Sequence, residues 1–138
     1  MKTSKIVYKG GLRTGAIHLA SGNEVITDAP VDNKGKGEAF SPTDLLCASL
    51  GCCMVTIMGI LAERSGIDIT GTSIEITKIM KSDPRRVGEI IAEFAMPERA
   101  YLEKEKTSLE NAARTCPVAY SLHPEIKQTI SFHWPGAK

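Results

Sequence analysis

Two cysteines set the chemical question in this chain. Cys53 lies in the apolar run Ser-Pro-Thr-Asp-Leu-Leu-Cys-Ala-Ser-Leu-Gly-Cys-Cys-Met (41–54), and Cys116 stands directly before Pro117 in Thr-Cys-Pro-Val-Ala-Tyr. About 60 residues separate them, which excludes a local CxxC motif and suits two thiols that meet only once the chain has folded. The thiolate is the reactive form of cysteine, and a nearby cation or hydrogen-bond donor lowers the pKa that governs it. Cys53 falls about three turns inside the predicted helix, where the N-terminal dipole has faded. A basic side chain must therefore come from elsewhere, and Arg13, in Gly-Gly-Leu-Arg-Thr-Gly, is the candidate. Taken alone, Arg13 beside a glycine turn reads as a solvated surface residue. If Pro117 opens a short helix, Cys116 takes the N-cap position, where unpaired backbone N–H groups favour a thiolate. Both cysteines also read as small buried hydrophobes, and the residues alone leave that choice open.

Other chemistries have weaker footing. Cys52 and Cys53 are neighbours in a helix, so their side chains diverge by about 100° and a vicinal disulfide would require unwinding. Cys47 carries no separate signal. Cys52, Cys53, Cys116 and His123 could in principle ligate zinc, but the paired short spacings of structural zinc sites are missing. His18 and His133 fall in predicted strands. No P-loop, GxGxxG or GxSxG motif is found. No metal and no cofactor are expected.

The elements that must position these residues follow from local patterns. Residues 4–9, 14–20 and 24–27 read as three short strands, with turns at Gly10-Gly11 and Ser21-Gly22. Residues 29–40 lack apolar periodicity and read as an ordered surface loop. Ser41 can cap a helix with Pro42 at its first position and Asp44 completing an S-x-x-D capping box. Within that helix Leu46, Leu50, Cys53, Ile57 and Ile60 share one face. Leu45, Cys52, Val55 and Leu61 widen the apolar surface, so little of the helix should face water. Ser65-Gly66 stops it. Residues 68–81 and 87–95 read as a hairpin around Asp83-Pro84, 101–114 as a charged helix, and 128–134 as a closing strand. Pro117 ends the charged helix or begins a new one. The order β-β-β-α-β-β-α-β predicts an α+β fold, with antiparallel strands around a long, central, apolar helix.

At 138 residues the chain is expected to form a single domain, 1–138. A formal net charge of +1 gives no electrostatic reason to expect nucleic acid or an anionic membrane as partner. The apolar stretch from Leu45 to Ala62 is broken by Ser49, Gly51 and Thr56 and flanked by Asp44 and Glu63, which suits a core helix rather than a membrane span. The first residues lack a signal-peptide core, so a cytoplasmic location is expected. In that reducing compartment static cross-links would be unusual.

At these residues the chain resembles the OsmC/Ohr superfamily of cysteine-dependent hydroperoxide reductases, over essentially its whole length. The resemblance rests on Gly-Lys-Gly-Glu-Ala-Phe-Ser-Pro-Thr-Asp-Leu-Leu leading into a helix, on the twelve-residue step from Ser41 to Cys53, and on the distant Cys116-Pro117. The Ser-Pro start is more similar to the OsmC branch. The resemblance implies a peroxidatic Cys53, a resolving Cys116, and Arg13 as the residue that holds the thiolate and polarises the peroxide. It further implies an intertwined homodimer with two interface active sites, a small-molecule hydroperoxide as substrate and an external dithiol as reductant. The family's glutamate partner of the arginine falls at Thr43 here, so Glu38 or Asp44 would have to pair with Arg13. That departure motivates an alternative: a non-catalytic redox-sensing or ligand-binding module on the same fold.

Overall fold

A computed structural model of the protein describes residues 1–136, and its chain divides into two compact units, one of residues 1–46 and one from residue 47 onward. In the first unit β1 (Ser4–Gly10), β2 (Arg13–His18) and β3 (Glu24–Asp28) form an antiparallel sheet in that order. The register sets Arg13 opposite Asp28 and Thr14 opposite Thr27, whose hydroxyls are hydrogen-bonded to each other. After β3 the expected loop is ordered by its own backbone. Gly35 and Gly37 donate to the carbonyls of Pro30 (2.9 Å) and Ala29 (3.2 Å) around a single 3-10 turn, Val31–Asn33. A Cβ on Gly35 would lie 1.8 Å from the Ala29 carbonyl oxygen, so the loop closes this tightly only with glycine there.

The long helix α1 (Pro42–Ser65) starts where the capping residues predict. Asp44 N–H donates to Ser41 Oγ (3.1 Å) and Ser41 N–H to Asp44 Oδ2 (3.0 Å), a reciprocal cap that satisfies two orphan donors. Length and hydropathy alone would let α1 cross a membrane, with mean hydropathy 2.3 over its most apolar stretch, of which a third is buried in the chain.

The second unit carries most of α1 together with β4 (Ser73–Lys81), β5 (Arg86–Ala95), α2 (Glu103–Ala113), α3 (Pro117–Ser121) and β6 (Lys127–His133). Its sheet has the order β4-β5-β6. The β4–β5 hairpin is antiparallel as expected, whereas β6 runs parallel to β5. The intervening α2 and α3 are the crossover that a parallel neighbour requires. Phe94 and Phe132 face each other across that pair with ring centroids 4.6 Å apart. The first strand of the hairpin begins at Ser73 rather than at residue 68. Thr70 N–H donates to Asp68 Oδ1 (2.9 Å) and Thr72 Oγ1 to the Ile69 carbonyl (2.7 Å), so these short polar side chains take turn bonds that compete with a ladder.

The buried face of α1 differs from the one the periodicity suggested. Cys47, Leu50, Gly51, Met54, Met58 and Ala62 are buried, Cys53 and Ile57 are half-buried, and Leu46 and Ile60 are exposed. A helix apolar on nearly every side carries no periodic signal for its inward face, so packing decides it. Gly51 shows how: a Cβ there would sit 3.1 Å from Ile76 Cδ1, so the small residue lets α1 approach the sheet closely. Met58 is wholly buried in the core, with Ile90, Phe94 and Leu109 among its members. Met58→Ala is expected to destabilise the protein by about 2–5 kcal/mol, and the near-isosteric Met58→Leu by under about 1.5 kcal/mol. Both are read as midpoint shifts in denaturant unfolding at unchanged m.

Candidate functional site

Cys53 is carried on α1 and Cys116 at the start of α3, and the fold of the second unit brings the two side chains close enough to interact. All four cysteines are free thiols. Pro117 does open a short helix, with Cys116 as its N-cap: φ −75° and ψ 147° are extended, and Sγ accepts the Ala119 N–H at 3.4 Å. Gln128 Nε2 donates to the Ala119 carbonyl (3.1 Å), tying α3 to β6 and so fixing where Cys116 sits. Cys116 is completely buried and Cys53 half-buried. Of the other two, Cys47 belongs to the core and Cys52 is exposed.

The proton on Cys116 departs from the expectation that an N-cap thiol would favour its thiolate. Burial pushes the Cys116 thiol above its ordinary value, the Ala119 N–H opposes it, and the neighbouring Cys53 adds to the rise. Desolvation of a charge outweighs one N–H donor at a site with no exposure. Burial therefore favours the neutral thiol form of Cys116, beside Cys53. A half-buried sulfur with a wholly buried thiol against it can support exchange between dithiol and disulfide states.

The first unit holds a separate constellation around Arg13. Its Nε and Nη2 donate to Asp28 Oδ1 and Oδ2 at 2.7 and 2.9 Å, the fork-to-fork geometry of a strong arginine–carboxylate pair. Nη2 also donates to Glu38 Oε1 at 2.9 Å. Asp28 is 1% exposed, whereas the Glu38 side chain is 69% exposed. The Glu38 backbone N–H donates to Asp28 Oδ2 (3.1 Å), so the same carboxylate orients both the guanidinium and the loop that bears the second acid. The hydrogen bond from Arg13, against the cost of burial, holds the Asp28 carboxyl below its usual range. The Arg13 guanidinium is in turn raised, first by its hydrogen bond to Asp28.

Of the two carboxylates expected as partners of Arg13, Glu38 is hydrogen-bonded to it. Asp44 serves the α1 cap, a local contact that its spacing from Ser41 favours. Thr43 Oγ1 is within 3.2 Å of Ser41 Oγ. Asp28 is not singled out by the sequence pattern, which ends strand β3 at Thr27. Extending the β2–β3 ladder by one register step would have found it, since Arg13 and Asp28 are directly opposed. Among the described residues no three or more His, Cys, Asp or Glu side chains gather to hold a metal ion.

A family model described as OsmC-like protein matches residues 35–131. A crystal structure from Psychrobacter arcticus, provisionally described as an osmotic stress induced and detoxification response protein, is 56% identical. The match covers 96% of each chain with a TM-score of 0.93. Two remoter structures share the fold: an organic hydroperoxide resistance protein OsmC from Legionella pneumophila and the organic hydroperoxide resistance protein OhrB of Bacillus subtilis. The first is 15% identical, covering 96% of this chain and 97% of that one at a TM-score of 0.73. The second is 16% identical, covering 96% and 98% at 0.67. No curated protein matches. With a family model over most of its length and a close structural relative over nearly all of it, this chain belongs to the OsmC-like protein family.

Proposed function

We propose that this protein is a thiol-dependent peroxidase that reduces organic hydroperoxides, and hydrogen peroxide less well. The observation that carries the reading is the meeting of Cys53 and Cys116 as free thiols from two distant helices. The Cys53 thiolate attacks one oxygen of the O–O bond, forming S–O and expelling an alkoxide that takes a proton to leave as alcohol. Cys53 is then a sulfenic acid. The Cys116 sulfur attacks it, the S–S bond forms, and the hydroxyl leaves as water with the Cys116 proton. An external dithiol then returns both cysteines to thiols. Arg13 is assigned to the thiolate and peroxide on the strength of the family resemblance.

Organic hydroperoxides are the favoured class because the apolar Ile57 lies one turn from Cys53 on the same face of α1. The non-catalytic alternative drew on Thr43 standing where the family has a glutamate. Asp28 and Glu38 supply Arg13 with two carboxylates regardless, which favours the catalytic reading. The proposal includes a cytoplasmic homodimer. Exposed apolar residues on β1 and α1, such as Ile6, Tyr8, Leu46 and Ile60, favour association with a second copy.

One equivalent of organic hydroperoxide, followed by mass mapping of the quenched protein, tests the reading. A Cys53–Cys116 disulfide within one chain is the expected product. Persistence of both free thiols, together with no dithiol-dependent peroxide consumption, would overturn it.

A further inference from the structure

We propose that the reducing thiol reopens the Cys53–Cys116 disulfide by attacking Cys53, with Cys116 as the leaving group; this rests on the peroxidase reading above. A thiolate displaces sulfur from sulfur by approaching in line with the S–S bond, so the attacked sulfur needs an open rear side. Cys116 has none. Its exposure is nil within a single chain, and a second chain docked onto that surface would not uncover it. It lies at the start of α3, whose turn is closed by the Ser121 Oγ bond to the Pro117 carbonyl (2.7 Å) and tied to β6 through Gln128 (3.1 Å). Cys53 is half-buried on α1.

The surroundings of Cys116 also suit departure. As the S–S bond breaks, negative charge develops on Cys116 Sγ, where the Ala119 N–H already points at 3.4 Å. The buried sulfur then takes up a proton and returns to the neutral thiol. The electrons balance in two exchanges. In the first, the external thiolate forms a bond to Cys53 Sγ, the protein disulfide breaks, and Cys116 leaves. In the second, the other thiol of the dithiol attacks the external sulfur of that mixed disulfide. Cys53 leaves as thiolate, and the donor departs as its own disulfide. A monothiol lacks the second step and stops at the mixed disulfide, which makes the site of attack readable.

The test uses the full chain with Cys52→Ser, which removes an exposed thiol one residue from Cys53 that could exchange with the adduct. The protein is oxidised with one equivalent of organic hydroperoxide and the Cys53–Cys116 disulfide confirmed by mass. It is then exposed briefly to N-acetylcysteine, acid-quenched, alkylated and mapped. The expected result is N-acetylcysteine on the Cys53 peptide and the alkyl group on Cys116, at a ratio of at least about tenfold over the reverse. A predominant adduct on Cys116, or an even split, overturns the inference while leaving the peroxidase reading intact. Failure to form the disulfide in the first step overturns both.

Discussion

Serine in place of Cys53 is expected to reduce dithiol-dependent peroxide consumption by about 10³-fold or more, to the uncatalysed background. A serine hydroxyl is nearly the size of the thiol, so the half-buried position on α1 is filled and the fold should persist. What is lost is the nucleophile, since a hydroxyl neither ionises in this pH range nor forms a sulfenic acid. Cys116→Ser gives the informative contrast. Serine is a good N-cap, so α3 should keep its first turn. Cys53 should still consume one equivalent of peroxide in that variant, and then stall as sulfenic acid or pass on to the sulfinic state, visible as one or two added oxygens by mass. Stopped-flow measurement of the first turnover and a steady-state assay separate the two variants. Full steady-state activity in Cys53→Ser would sink the assignment.

The second large effect is expected at Asp28. Asp28→Asn keeps the shape of the side chain but removes the charge that accepts both Nε and Nη2 of Arg13, leaving the guanidinium to the exposed Glu38. If Arg13 polarises the peroxide, that loss of orientation should lower kcat/KM for an organic hydroperoxide by roughly 10–100-fold. Burial of Cys116 and its cap on α3 should be untouched, so disulfide formation by a large excess of peroxide should survive. The same substitution has a pH signature. The folded-state pKa of Asp28 is depressed, first by its hydrogen bond from Arg13. A depressed carboxylate contributes stability that is fully present above its unfolded value, near 3.9, and is lost as the pH falls through the folded value. Denaturant unfolding of the native protein from neutral pH downward should therefore show an acid loss of stability that is shallower in Asp28→Asn. An unchanged acid limb together with unchanged kcat/KM would remove Asp28 from any role with Arg13.

Much of the frame was legible before any coordinates. The Ser41–Asp44 cap, the Gly10-Gly11 turn and the alternation in β4 are local signals, and the structure places elements where they indicated. The beginning of α3 at Pro117, with Cys116 as its cap, was one of two readings that proline allows. Asp28 was within reach as well, since a hairpin register is arithmetic once one pair is known. Local pattern alone hides it, because an aspartate at a strand end looks like the start of a loop.

The amino-acid order by itself determined which residues could do chemistry and which elements carry them, because caps, turns and alternation depend on neighbours along the chain. It could not choose the buried face of α1, since Leu46, Leu50 and Ile60 are equally apolar and of the three only Leu50 is buried. Nor could it turn β6 parallel to β5, or bury Cys116 so completely that desolvation overrides its N-cap donor. The contact of Cys53 with Cys116 and the fork between Arg13 and Asp28 belong to the same class. Each depends on how closely distant segments pack and how much water they exclude, and those quantities exist only in the folded chain.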